Sequence, residues 1–325
     1  MDLKEARIVF MGTPDFAVPS LRILKKNGAN IVGVITAPDR RGGRGMKQLL
    51  TSPVKKFAVE NKLTILQPTN LKSLNFIDQL RSLRADLQMV VAFRMLPEVV
   101  WSMPSLGTIN LHASLLPAYR GAAPINWAII NGETSTGLTT FFIEKQIDTG
   151  NILGTKEIAI APHDTAGSLH DAMMELGAEL VLETVSSVIA GRSQPIKQDD
   201  SLATRAPKIF RETCEIDFQD TIDHVYNFIR GLSPYPSAWT LLDGKTLKIT
   251  RVRIKDLNDI PSPGRIRTDN KTYFQISALN GWVDILELQL EGRKRMSTET
   301  FLNGYDLDSA EITMSKTPPS SVTPR

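Results

Sequence analysis

Continuous apolar runs recur through the first half of the chain, at Arg7 to Met11, Ile31 to Thr36, Leu63 to Leu66, Leu87 to Phe93 and Thr108 to His112. Longer amphipathic stretches separate them. Short apolar runs alternating with helical periodicity predict an α/β fold built on a doubly wound, mostly parallel sheet with helices on its faces. Thr13 is expected to cap a helix that opens with Pro14 and closes near Gly28, with Pro19 kinking or restarting it. In open sheets of this kind ligands bind beyond the carboxyl ends of the strands, so residues there carry most weight.

From Thr136 to Ile160 polar and apolar residues alternate around a break at Asp148-Thr149-Gly150, which predicts antiparallel strands joined by a loop. A long helix should follow, capped by Asp164 or Thr165, with Leu169, Met173, Met174, Leu176, Leu180, Val181 and Val185 at helical spacing until Gly191. These methionines read as core. Between Gly191 and Glu212 the periodicity is lost. Beyond it come a helical stretch, Asp220 to Arg230, and short alternating segments at Leu247 to Ile254, Tyr273 to Ala278 and Val283 to Leu290. The expected organisation is an α/β domain over 1–191, a linker over 192–212, a second, smaller β-barrel (OB-like) domain over 213–315, and a disordered proline-, serine- and threonine-rich tail over 316–325.

Composition adds limits. A length of 325 residues suits two domains of about 150 residues each. With 42% hydrophobic and 22% charged residues, and no apolar stretch near the roughly 20 residues that span a bilayer, no membrane association is expected. The charged start of the chain lacks the shape of a signal peptide, and the single cysteine, Cys214, builds neither an intramolecular disulfide nor a thiolate metal site. A cytoplasmic location is the expectation. The net charge of +3 is unevenly spread: up to Arg120 bases outnumber acids roughly two to one, while beyond Thr213 acids are at least as frequent. A polyanion would be drawn to the first half.

The most informative stretch is Ile109-Asn110-Leu111-His112-Ala113-Ser114-Leu115-Leu116-Pro117-Ala118-Tyr119-Arg120-Gly121. Residues two apart on a strand share a face, so Asn110 and His112 project together while Ile109 and Leu111 pack behind them. A carboxamide donor beside an imidazole suits acyl transfer, in which a tetrahedral intermediate gathers negative charge on oxygen and a proton must move between two nitrogens. A carboxylate to orient the imidazole is supplied best by Asp148 on its later loop. A hydrogen-bonded strand end accounts for Asn110 and His112 alone equally well. The segment Asp39 to Lys56 sets Arg40, Arg41, Arg44, Lys47, Lys55 and Lys56 around three glycines, either a mobile arm able to follow a phosphate backbone or a solvated surface loop.

Other features carry plainer readings. Gly12-Thr13-Pro14 has one glycine where a dinucleotide fingerprint needs three. His163, His170 and His224 lack metal-ligand spacing and read as caps or surface residues. Trp101, Trp127, Trp239 and Trp282 read as packing, with Trp127 near enough to the Asn-x-His loop to border it, and Tyr119 able to line a pocket there.

The Asn-x-His pair, the Ser-Leu-Leu-Pro loop and the separate Asp-Thr-Gly together resemble the 10-formyltetrahydrofolate-dependent formyltransferases. The resemblance implies that Asn110, His112 and Asp148 are the catalytic set. It implies that Ser114, Leu115, Leu116 and Pro117, with the strand ending at Ala92-Phe93, border the folate. It is closest to members that formylate the amine of methionyl-tRNA. Supporting pieces are Phe10-Met11-Gly12-Thr13-Pro14-Asp15-Phe16, Pro38-Asp39-Arg40 with Gly43-Arg44-Gly45, Gly121-Ala122-Ala123-Pro124-Ile125, and Pro234-Tyr235-Pro236-Ser237-Ala238-Trp239. The resemblance implies initiator methionyl-tRNA and 10-formyltetrahydrofolate as substrates and contact of Arg40, Arg41, Arg44 and Lys47 with the tRNA; the reaction so read needs no metal, and a monomer is the expectation. A formyltransferase for a small amine, a formyl hydrolase and a catalytically silent tRNA-binding protein are the rival expectations. Val91-Ala92-Phe93-Arg94-Met95-Leu96-Pro97 departs from the familiar pattern by one missing residue and by Arg94 in place of a glycine.

Overall fold

The structure, a computed structural model, describes residues 1–42, 45, 48–255 and 262–313. In chain order its elements are β1 (Arg7–Gly12), α1 (Val18–Lys26), β2 (Asn30–Ile35), β3 (Arg40–Gly42), β4 (Gln48–Leu50), α2 (Pro53–Glu60), β5 (Ile65–Leu66), α3 (Leu74–Ser82), β6 (Leu87–Val91), α4 (Glu98–Trp101), β7 (Thr108–His112), β8 (Arg120–Gly121), α5 (Pro124–Ile130), β9 (Ser135–Phe142), β10 (Ile152–Ala159) and α6 (Ala166–Ile189). They continue with β11 (Arg205–Ala206), α7 (Ile222–Gly231), β12 (Ala238–Leu242), β13 (Lys245–Lys255), β14 (Ile266–Thr268), β15 (Phe274–Ala278), β16 (Gly281–Leu290), β17 (Met296–Ser297), α8 (Thr298–Leu302) and β18 (Ile312–Thr313). Backbone contacts divide the chain into two compact units. The first comprises Met1–Arg120, Thr136–Ile158 and His170–Ala203; the second comprises Gly121–Ser135, Ala159–Leu169 and the chain from Thr204 onward.

The first unit holds a sheet in the order β10-β9-β7-β6-β1-β2-β5. β1 pairs in parallel with β2 and β6, β6 with β7, and β2 with β5, while β7 and β9 are antiparallel. The unbroken apolar runs of β1 and β6 suit central strands covered on both faces, and residues 8–12 and 87–91 are buried throughout. Val9, Met11, Ile35, Phe76, Leu80 and Val90 form one core against this sheet. The chain runs outward from β1 to β2 and β5, then returns to β6 and runs the other way to β7. The carboxyl ends of β1 and β6 therefore form the switch point at which such sheets bind ligands.

The helix expected to start at Thr13 begins later. A single 3-10 turn, Asp15–Ala17, precedes α1, and Pro19 sits in the first turn of α1, where a missing N–H costs nothing. The Thr13 hydroxyl instead accepts from Ala37 N at 3.3 Å. The helix α2 starts as its sequence dictates, with Ser52 Oγ accepting from Lys55 N at 3.0 Å and Pro53 in the first turn. Lys55 and Lys56, read as part of the basic arm, lie in this helix. The stretch 192–203, read as linker, is exposed along most of its length but is tied down at two points, where Ile196 bridges Ile152 and where the buried Gln198 bonds the Asp148 loop, and Asp200–Leu202 form a 3-10 turn.

The second unit carries a nearly closed, barrel-like antiparallel sheet in the order β14-β15-β16-β13-β12-β18, with β17 on β16. Alternating burial along β12 and β13 turns Ala238, Leu242, Leu247 and Ile249 inward onto Phe274, Ile276 and Leu288. The amphipathic α7, capped by Thr221, adds Ile222, Val225 and Ile229 to that core. Thr165 and Ser168 exchange side-chain to backbone bonds at the start of α6, so Thr165 is the cap there. Among the described residues no helix is long and apolar enough to cross a membrane. The tail read over 316–325 lies outside the described residues.

Candidate active site

β7 lies between β6 and β9 and carries two polar residues into an apolar setting. Ile109 and Leu111 are buried on one face, which leaves Asn110 and His112 together on the other. Asn110 stands opposite Val90 on one side and Phe141 on the other, and His112 stands opposite Thr139. His112 is only 6% exposed, with the Phe141 ring edge-on at 6.5 Å. Its Nε2 lies 2.9 Å from the Tyr119 carbonyl oxygen. A carbonyl only accepts, so Nε2 carries hydrogen and the ring turns Nδ1 toward Asp148, whose Oδ2 is 3.8 Å away. That separation is too long for a direct hydrogen bond but close enough for strong attraction once Nδ1 gains a proton.

The loop after β7 is braced from within. Ser114 Oγ donates to Ala118 O at 2.6 Å, Thr139 Oγ1 donates to Ser114 O at 2.7 Å, and Leu116 N donates to Thr139 Oγ1 at 3.0 Å. Leu116-Pro117 is a cis peptide, and Tyr119 takes a left-handed φ of 59°, which turns its carbonyl back to His112. Of the four residues expected at the folate, Ser114 and Leu116 are buried as braces, while Leu115 and Pro117 are half-buried. Tyr119 meets His112 through its backbone.

Asp148 sits on the loop between β9 and β10 with φ 56° and its side chain 13% exposed. Gly150 lets this loop pass against β9, since a β-carbon there would lie 1.7 Å from Phe142 O. Two further residues complete the arrangement. Gln198 is 6% exposed and its Nε2 donates to Asp148 O at 2.9 Å and to Gly150 O at 2.8 Å. Its Oε1 accepts from Arg120 Nε at 3.1 Å and Nη2 at 2.7 Å, and Arg120 Nη2 also reaches Asp200 Oδ1 at 2.7 Å. Sequence reasoning missed Gln198 because one glutamine in an aperiodic stretch carries no local signal; only a contact across 50 residues reveals it. The structure thus brings Asn110, His112 and Asp148 to one place.

At the carboxyl end of β6, Arg94 donates to the carbonyls of Pro68 and, at 3.1 Å, Thr69, tying this edge to the loop after β5. A cavity of about 710 Å³ there is lined by Thr69, Leu71, Lys72, Arg94, Leu96 and Glu98. Within the basic segment Arg40–Gly42 and Gln48–Leu50 pair as a short antiparallel ladder, β3 on β4, with Arg40 and Arg41 exposed. Its base is clamped: Asp39 pairs with Lys55, and Gln67 Nε2 donates to Asp39 Oδ1 at 3.0 Å and Ala37 O at 2.8 Å. The Lys55 ammonium, with Gln67, holds the Asp39 carboxyl below its ordinary value. Arg44 and Lys47 lie outside the described residues. In the second unit a groove of about 660 Å³ is lined by Lys208, Arg211, Tyr235, Trp239, Lys248 and Gln289 among others, with Tyr235 82% exposed. This is a local basic patch on a unit that is not basic overall. Trp127 donates to Pro207 O at 2.8 Å within the same unit. Among the described residues no group of three or more His, Cys, Asp or Glu could hold a metal ion.

Comparison with known proteins gives two family matches, "Formyl transferase" over residues 6–185 and "Formyl transferase, C-terminal domain" over residues 208–306. A methionyl-tRNA formyltransferase of Bacteroides fragilis is 50% identical over 319 residues, 95% of this chain and 98% of its own. One from Phocaeicola vulgatus is 54% identical over 315 residues, 94% of this chain and 97% of its own. Among solved structures, the N-formyltransferase from Helicobacter canadensis, in complex with folinic acid and dTDP-3-aminofucose, superposes with a TM-score of 0.67 at 21% identity, covering 90% of this chain and all of that one (100%). The last likeness concerns the fold.

Proposed function

We propose that this chain, which belongs to the formyl transferase family and carries both its domains, transfers the formyl group of 10-formyltetrahydrofolate to the free amine of methionyl-tRNA. The observation that carries the reading to a mechanism is the convergence of Asn110, His112 and Asp148 at the carboxyl edge of the sheet. The uncharged amine attacks the formyl carbon and a new C–N bond forms. The carbonyl oxygen becomes an oxyanion, toward which Asn110 donates a hydrogen bond. His112 takes the proton lost by the attacking nitrogen, Asp148 steadies the resulting imidazolium, and the proton passes to N10 of the folate as the old C–N bond breaks. N-formylmethionyl-tRNA and tetrahydrofolate leave.

The switch point between β1 and β6, together with the half-buried Leu115 and Pro117, supports a folate seat beside this centre. The exposed Arg40 and Arg41 on a ladder clamped at Asp39 favour contact with phosphates of the tRNA, and Arg44 and Lys47 belong to the same segment. In the second unit, Tyr235 offers a stacking face among Lys208, Arg211 and Lys248, a combination suited to a single-stranded RNA end. Preference for the initiator tRNA, action as a monomer and a cytoplasmic location complete the reading.

The test is formyl transfer from 10-formyltetrahydrofolate to charged initiator methionyl-tRNA, with elongator methionyl-tRNA and free methionine alongside. The expected result is transfer confined to the initiator tRNA, with KM for tRNA raised and less sensitive to salt when Arg40, Arg41 and Arg44 become alanine. Transfer to small amines regardless of tRNA would move the substrate. Release of tetrahydrofolate into water would make the protein a hydrolase, and folded protein without activity would make it a silent binder.

A further inference from the structure

The bonds around Gln198 join three parts of the first unit that are remote in sequence. They are the end of the loop after β7, at Arg120; the loop bearing Asp148; and the stretch after α6, whose one buried residue is Gln198. The amide nitrogen of Gln198 spends both hydrogens on the carbonyls of Asp148 and Gly150, which flank Thr149. Asp148 needs such support. It adopts a left-handed φ of 56°, which a non-glycine residue holds only where its surroundings demand it. Its carboxylate stands 3.8 Å from His112 Nδ1, so a small rotation of the loop decides whether the two face each other. The amide oxygen of Gln198 is in turn fixed by two guanidinium hydrogens of Arg120, one residue after the Tyr119 whose carbonyl orients the other side of the His112 ring. A single buried carboxamide thus holds the backbone on the Asp148 side to the same segment that sets the imidazole.

We infer that Gln198 is a positioning residue for the transfer reaction: it acts through Asp148, by fixing the turn that presents the carboxylate to His112. The inference rests on the proposed function. The informative change is Gln198→Glu, which keeps an acceptor for Arg120 but replaces the donor with oxygen facing two carbonyl oxygens. Displacement of a reacting group by about 1 Å costs on the order of 100-fold in rate. Gln198→Glu is therefore expected to lower kcat by roughly 10- to 100-fold, with KM for folate and tRNA within about threefold of wild type.

The experiment is steady-state formyl transfer by full-length wild type, Gln198→Glu, Asp148→Asn and the double variant, with circular dichroism and thermal melting of each. If Gln198 acts through Asp148, adding Gln198→Glu to Asp148→Asn changes kcat by less than about twofold, because the group it positions is already disabled. Losses that multiply in the double variant would overturn the inference, as would Gln198→Glu with wild-type kcat. If Gln198→Glu fails to fold, Gln198→Asn, which keeps the amide on a shorter stem, carries the same comparison. An inactive wild type would instead mark the failure of the functional reading.

Discussion

Replacing Gly150 with alanine tests how far the position of Asp148 governs catalysis. The new β-carbon would lie 1.7 Å from the carbonyl oxygen of Phe142, whereas real β-carbons essentially never come within 3.0 Å of another atom, so at least about 1.3 Å must be made up. β9, to which Phe142 belongs, is held by strands on both sides and cannot yield, so the loop must. It also has to loosen the bond from Phe142 N to Asn151 O, now 3.1 Å. Asp148, two residues back, moves with it. A shift of about 1 Å is worth on the order of 100-fold in rate, or about 2.7 kcal/mol of barrier. Overpacking adds about 1–3 kcal/mol of lost stability. The control is Gly191→Ala, where φ is 66° but no atom lies within 4 Å; strain alone should cost about 1–2 kcal/mol and leave kcat unchanged. The assay is kcat for formyl transfer beside a thermal melt for each variant. Folded Gly150→Ala with kcat within threefold of wild type would refute the reasoning.

Ser52→Ala removes the cap of α2 and the partner of the buried Thr36 hydroxyl, now 2.7 Å from Ser52 Oγ. A loss of about 1–2 kcal/mol is expected in urea unfolding, with kcat preserved. Burial pushes the Cys214 thiol up to about 11, so it should resist a thiol reagent near pH 8 until the protein unfolds. Because the folded state then holds this proton more tightly than the unfolded chain does, stability contributed by the thiol falls as pH rises from about 9 toward 11, which melts at stepped pH would register.

The elements that sequence made legible were those with a strong local signal. The unbroken apolar runs of β1, β6 and β7 announced buried strands, and the i, i+2 geometry of β7 placed Asn110 and His112 on one face before any contact was known. Asp148 was found as a turn residue in an Asp-Thr-Gly break, but its approach to His112 depends on the β9–β10 pairing and on Gln198, neither of which leaves a periodic trace. The attachments of 192–203 were hidden for the same reason: Ile196 and Gln198 are fixed by partners about 45 to 50 residues away, at Ile152, Asp148 and Gly150. The start of α1 was misplaced because Thr13 offers a cap-competent side chain that the structure spends on Ala37 instead.

The central claim is that Asn110, His112 and Asp148 act as one unit in formyl transfer. Single-turnover transfer to methionyl-tRNA should be measured for Asn110→Ala, His112→Ala, Asp148→Asn and the triple variant, each shown to be folded by circular dichroism. Each single change is expected to slow transfer by at least about 100-fold, and the triple variant to be little slower than the slowest single one. A folded single variant with near-normal turnover, or losses that simply multiply, would contradict it.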